Sequence, residues 1–111
     1  RGALATCPIT ESGFVRVSSN PSAIKDAVTP QEAVHVLDRW LAKGRHEFWS
    51  EGPRIRDVLQ SIGSVGGYRQ VTDAYLLHLA ISRDGTLVTL DGRIRSLLPE
   101  GAGRSLLVVD T

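Results

Sequence analysis

Hydrophobic positions change their spacing several times along the chain, and each change marks an element. The run "ALATC" (3–7) is short, apolar and stopped by Pro8, which predicts a buried strand. In "TESGFVRVSSNPS", Thr10 is the expected N-cap, and Phe14 and Val17 share a face of a short helix that fails at the Ser/Asn/Pro cluster. "TPQEAVHVLDRWLAKG" carries the clearest helical period. Thr29 caps it, Pro30 opens it, Glu32 completes a capping box, and Ala33, Val36, Leu37, Trp40 and Leu41 form the apolar stripe that Gly44 ends. "HEFWS" predicts a short strand, "RIRDVLQSI" a small amphipathic helix and "GSVGG" a turn. Thr72 is the expected cap of a helix from 73 to about 83, with Gly85 in the left-handed stop position. "TLVTL" (86–90) is β-branched and apolar, a central strand; "GRIRSLL" predicts a helical turn and "RSLLVVD" a last strand. Strand and helix alternate throughout, which predicts an α/β fold with a parallel sheet and helices on its faces.

That layout gives three carboxylates a common address. A helix of about 11 residues covers roughly 16 Å, and a strand of about five residues covers a similar length. The helix from 73 and the strand at 86–90 run in opposite directions, so Asp73 and Asp91 return to one edge, the carboxyl end of the strands where open α/β sheets place ligands. Glu11, in the first helical turn after strand 3–7, belongs to the same edge by the same rule. Like charges gathered there favour a retained proton or a neutralising cation, and hard oxygen donors suit Mg²⁺ or Mn²⁺. Singly, each acid also has an ordinary role: Asp73 and Glu11 as first-turn helix acids, Asp91 as the start of an Asp-Gly turn. Periodicity alone leaves the two readings level.

Composition narrows the classes. A chain of 111 residues with 41% apolar and 23% charged residues is of one-domain size and ordinary globular character. Most of the 13 basic residues are arginines, whose planar fork matches phosphate, although a net charge of +1 favours a mixed solvated surface. The one cysteine, Cys7, lies among apolar neighbours, cannot form an internal disulfide, and makes a reducing cytoplasm the default. No apolar run is long enough to span a membrane. His35, His46 and His78 lack zinc spacing with one another and with Cys7, and His78 reads as a core histidine. "GSVGG" (63–67) lacks the lysine and the strand-to-helix glycines of a phosphate loop.

"CPITESGFVRV", "GYRQVTDAYLLHLAI" and "GTLVTLDGRI", in this order and spacing, resemble the PIN domain of VapC-type toxins from bacterial toxin–antitoxin pairs. The resemblance covers nearly the whole chain. It implies a metal-dependent endoribonuclease whose acids hold Mg²⁺ or Mn²⁺, with Glu11, Asp73 and Asp91 as catalytic and metal-ligating residues. It implies an RNA substrate, a VapB-type antitoxin as partner, a homodimer and a cytoplasmic location. Arg69 and Arg93, flanking the two aspartates in sequence, are the candidate RNA phosphate contacts. The implied fold is α/β, a three-layer sandwich with a mainly parallel central sheet.

The family's first strand normally delivers a fourth acid, and Arg1 stands where the family's second strand would begin. The expectation is therefore a single PIN-like domain over 1–111, N-terminally incomplete and without its central first strand. From this follows the alternative expectation, a catalytically incomplete PIN fragment that only binds antitoxin or another protein. A receiver-type signalling domain also gathers carboxylates at a strand edge, but it needs a lysine after a late strand, and 105–109 is followed by none.

Overall fold

The structure, a computed structural model, describes residues 3–109. Arg1, and Asp110 at the end of the expected last strand, lie outside the described residues. The chain divides into two compact units, Arg1–Glu51 and Gly52–Thr111.

In the first unit, strand β1 (Leu4–Thr6) leads into helix α1 (Pro8–Ser18), helix α2 (Pro30–Leu41) and strand β2 (His46–Phe48). β1 and β2 pair in parallel, with Leu4 opposite His46 and Thr6 opposite Phe48. Pro8 opens α1 rather than merely ending the strand, because a proline at the first helical position loses no hydrogen bond. Thr10 is accordingly not the N-cap. Cys7 occupies that position, and its backbone N–H donates to Thr10 Oγ1 at 2.9 Å, so Thr10 supplies the return half of a capping box. α2 begins as its sequence requires: Glu32 N–H donates to Thr29 Oγ1 (3.1 Å) and Thr29 N–H to Glu32 Oε1 (2.9 Å). It ends at Leu41 with Ala42 as C-cap, and Gly44 lies in the turn beyond. Ala33 and Cys7 are buried, whereas Trp40 is 63% exposed and meets Phe14 in a tilted ring contact at 6.4 Å.

The second unit contains helix α3 (Ile55–Ser61), helix α4 (Val71–Ser82), strand β3 (Leu87–Thr89) and strand β4 (Leu106–Val108), with 3₁₀ turns at Tyr68–Gln70, Gly92–Leu97 and Gly103–Ser105. Its core is Val58, Ile62, Ala74, Leu77, Ile94 and Leu97, with Leu87 and Leu106 of the strands packed against it. β3 and β4 pair in parallel, Leu87 opposite Leu106. Among the described residues each unit has one two-stranded sheet, and β3 pairs with β4. Two helix boundaries differ from expectation. The 3₁₀ turn runs straight into α4, so Thr72 lies inside the first turn and Gln70 takes the cap position, its Oε1 accepting from Gly66 N–H at 2.6 Å. At the other end Asp84, not Gly85, adopts the left-handed conformation (φ 56°), and Gly85 N–H closes the turn on Ala80 O. His78 is half-buried. Tyr75 packs its hydroxyl so closely over Gly52 that a side chain there would collide with it.

Candidate active site

Asp73 and Asp91 meet in the second unit. Asp73 is the third residue of α4 and Asp91 the cap of the 3₁₀ turn after β3, and both line a pocket of about 230 Å³ with Arg69, Gln70, Arg93, Ile94 and Leu97. The opposed lengths of α4 and β3 bring the two carboxylates to one edge, as the spacing requires. Asp91 is fixed by its neighbours: its N–H donates to Thr89 Oγ1 (3.1 Å), and Arg93 N–H donates to its Oδ1 (2.9 Å). The Arg93 guanidinium forks onto the same carboxylate, Nε to Oδ1 at 3.0 Å and Nη2 to Oδ2 at 2.9 Å.

The two carboxyls are held apart electrostatically. Burial, and then the charge of Asp91, push Asp73 above the usual carboxylate range, against a smaller opposing pull from Arg93. The hydrogen bonds from Arg93 hold Asp91 below it. The raised Asp73 carboxyl is the one that a further positive charge would relieve, since Asp91 is already paired with Arg93. The donor set is one of hard oxygens, the kind that Mg²⁺ and Mn²⁺ take. Arg69 is exposed at the pocket, its guanidinium 5.7 Å from the Tyr68 ring centroid. Arg93 is 88% exposed despite its ion pair. Ile94 and Leu97 are the buried apolar residues of the pocket lining.

Glu11 belongs to the first unit. It sits in the first turn of α1, half-buried, with its N–H donating to Cys7 O at 3.0 Å. Its Oε2 accepts from Thr6 Oγ1 at 2.6 Å, and Thr6 Oγ1 in turn lies 2.7 Å from His46 Nε2. Among the described residues, no three His, Cys, Asp or Glu side chains form a group able to hold a metal ion. Within the second unit Asp73 and Asp91 line one pocket, and within the first unit Glu11 is bonded to Thr6. Thr6 and His46 were not selected from the sequence. Their link requires the β1–β2 pairing, in which Leu4, Thr6 and His46 share a face, and nothing in the spacing of residue 6 and residue 46 announces it.

The PIN domain family profile matches residues 1–97. The chain belongs to the PIN-domain family. Within it, the similar curated proteins are VapC members. It is 44% identical over 93 residues to Ribonuclease VapC38 of Mycobacterium tuberculosis, covering 84% of this chain and 64% of that protein. Ribonuclease VapC39 of the same species is 38% identical over 96 residues, 81% of this chain and 66% of that protein. Ribonuclease VapC44 is 38% identical over 104 residues, 93% of this chain and 72% of that protein. This PIN chain therefore spans less than two thirds of the length of VapC38 and VapC39. The α/β alternation and the parallel strand pairs accord with PIN membership.

Proposed function

We propose that this PIN protein is an endoribonuclease of the VapC type, hydrolysing RNA phosphodiester bonds with a divalent cation. The observation that carries the reading is that the carboxylates of Asp73 and Asp91 line one pocket, with Asp73 raised first by burial and then by the charge of Asp91, and Asp91 held down by Arg93. Asp73 and Asp91 would hold Mg²⁺ or Mn²⁺, and Glu11 is the third proposed ligand, on its match to the family's "TESGF" segment. When bound, the cation supplies charge neutralisation and water activation for hydrolysis. Arg69 and Arg93 are the proposed phosphate contacts, since both combine exposure with a place on the pocket rim. Ile94 and Leu97, buried and lining the same pocket, lower the dielectric on the side of Asp73 that faces the core.

The names of the relatives support the ribonuclease activity, and VapC membership supports a toxin restrained by a VapB-type antitoxin. A single PIN-like domain of three-layer α/β architecture is part of the same proposal. So is a homodimer, supported by the exposed Val34 (44%) and Trp40 on α2. No helix of the described residues is long and apolar enough to cross a membrane; a cytoplasmic site of action follows from the proposed RNA substrate and the unpaired Cys7.

The second reading, a PIN module that binds a protein partner without catalysis, is favoured by the exposed apolar side chains of Val34 and Trp40 on α2. One experiment separates the two. The chain is incubated with total RNA and Mn²⁺ or Mg²⁺, with Asp73→Asn as control. Metal-dependent fragments that vanish in the variant are expected; no cleavage by folded protein would leave the binding module.

A further inference from the structure

We propose that Thr6 and His46 are positioning residues that hold the Glu11 carboxylate in place for metal binding, an inference that rests on Glu11 being a ligand. Three elements contribute one group each: β1 gives Thr6, β2 gives His46 and the first turn of α1 gives Glu11. The hydrogen-bond inventory fixes the direction of the chain. A threonine hydroxyl has one proton, and at 2.6 Å from Glu11 Oε2 it gives that proton to the carboxylate, which cannot donate when ionised. The hydroxyl must then accept at its second contact, so His46 Nε2, 2.7 Å away, carries a proton and donates. The sequence His46 Nε2–H to Thr6 Oγ1–H to Glu11 Oε2 is polar and one-way.

The consequence for Glu11 is a defined free oxygen. Oε2 is taken by the short, charge-assisted bond from Thr6, and Oε1 has no hydrogen-bond partner among the described residues. A carboxylate held by one oxygen offers the other without further loss of rotamer freedom, and a glutamate side chain otherwise has much to lose. Thr6 suits the task because its β-branch stiffens χ1, which a serine would not do as well. The arrangement is the one found behind metal-binding side chains generally, where removal of the orienting partner weakens metal affinity by about 10–100-fold.

Mn²⁺ affinity of the full chain, measured by titration calorimetry, tests this through variants that keep the shape and change the hydrogen bonds. Thr6→Val and His46→Phe should weaken Mn²⁺ binding by about tenfold or more, while Thr6→Ser and His46→Gln, which restore the hydroxyl and an Nε2 donor, should stay within about threefold of the parent. The ring ¹⁵N shifts of His46 in metal-free protein at mildly alkaline pH should show the Nε2–H tautomer in the parent and lose that preference in Thr6→Val. Equal Mn²⁺ affinity in the parent and in a folded Thr6→Val, or an Nδ1–H tautomer, overturns the positioning role alone. No Mn²⁺ binding by the parent overturns the metal reading of Glu11, and the positioning role with it.

Discussion

Opposing effects compete at Asp73. The N-terminus of α4 favours its charge through the helix dipole, an effect worth about 0.3–1 kcal/mol in an exposed setting. Burial and the charge of Asp91 oppose ionisation, and the net upward shift shows that they prevail. The sign for stability follows. The folded protein binds this proton more tightly than the unfolded chain, so metal-free stability falls as pH rises from the ordinary aspartate value through the raised one. Asp91 has the opposite sign: its contribution is present above the ordinary value and is lost as pH falls through its depressed one, and its open pairing with the exposed Arg93 keeps it screened and small. Asp73→Asn should therefore raise the melting temperature of metal-free protein near neutral pH, with the gain fading as pH falls through the raised Asp73 value. An unchanged melting curve at every pH would mean that Asp73 is not strained by its surroundings. For the rim, Arg69→Ala with Arg93→Ala should weaken single-stranded RNA binding for all sequences and reduce the slope of log affinity against log salt by about 1.4, two phosphate contacts at about 0.7 each. An unaltered slope in filter-binding assays would remove both arginines from the RNA interface.

Element boundaries show which local signals were legible. The Thr29–Pro30–Glu32 start of α2 is a complete capping box in sequence, and it forms as written because all of its partners lie within four residues. Thr10 and Thr72 carried the same cap chemistry and neither caps. In the first case Pro8 is a better first residue than anything after Thr10, and in the second the turn at Tyr68–Gln70 extends the helix backward past Thr72. Cap residues compete with their neighbours, and a single threonine does not decide the outcome. Gly85 lost its place in a similar way, since Asp84 is one of the few side chains tolerated in the left-handed region. That choice leaves residual strain. Asp84→Gly should stabilise the protein by about 0.5 kcal/mol, the relief of the left-handed conformation less the entropy of an added glycine. Arg104 lies 3.9 Å from Asp84 with both side chains over 90% exposed, so losing that pair offsets almost nothing. Denaturant unfolding measures the change, and a destabilised variant would show that Asp84 has another role in the turn.

At the scale of the whole chain, the three segments that carry the resemblance all fall inside residues 1–97, the span of the PIN profile. The carboxylate edge of the second unit was legible because helix and strand lengths are set by backbone geometry. The Thr6–His46 link was not, because it depends on pairing between strands about 40 residues apart. Surface apolarity is the feature that composition hides most completely. Trp40 lies on the predicted stripe of α2, yet it is the most exposed aromatic of its unit, with Val34 exposed on the same helix. A large amphipathic aromatic left in water is the commonest anchor of a protein interface. If α2 forms the proposed homodimer contact, the chain sediments as a dimer at micromolar concentration and Trp40→Glu sediments as a monomer with its fold retained, because a buried unpaired charge at a dimer seam costs several kcal/mol. A second exposed apolar surface, Val88, Leu90 and Leu107 in the second unit, provides the internal control. Dimers that survive Trp40→Glu but dissociate with Leu107→Lys would move the interface from α2 to the β3–β4 face.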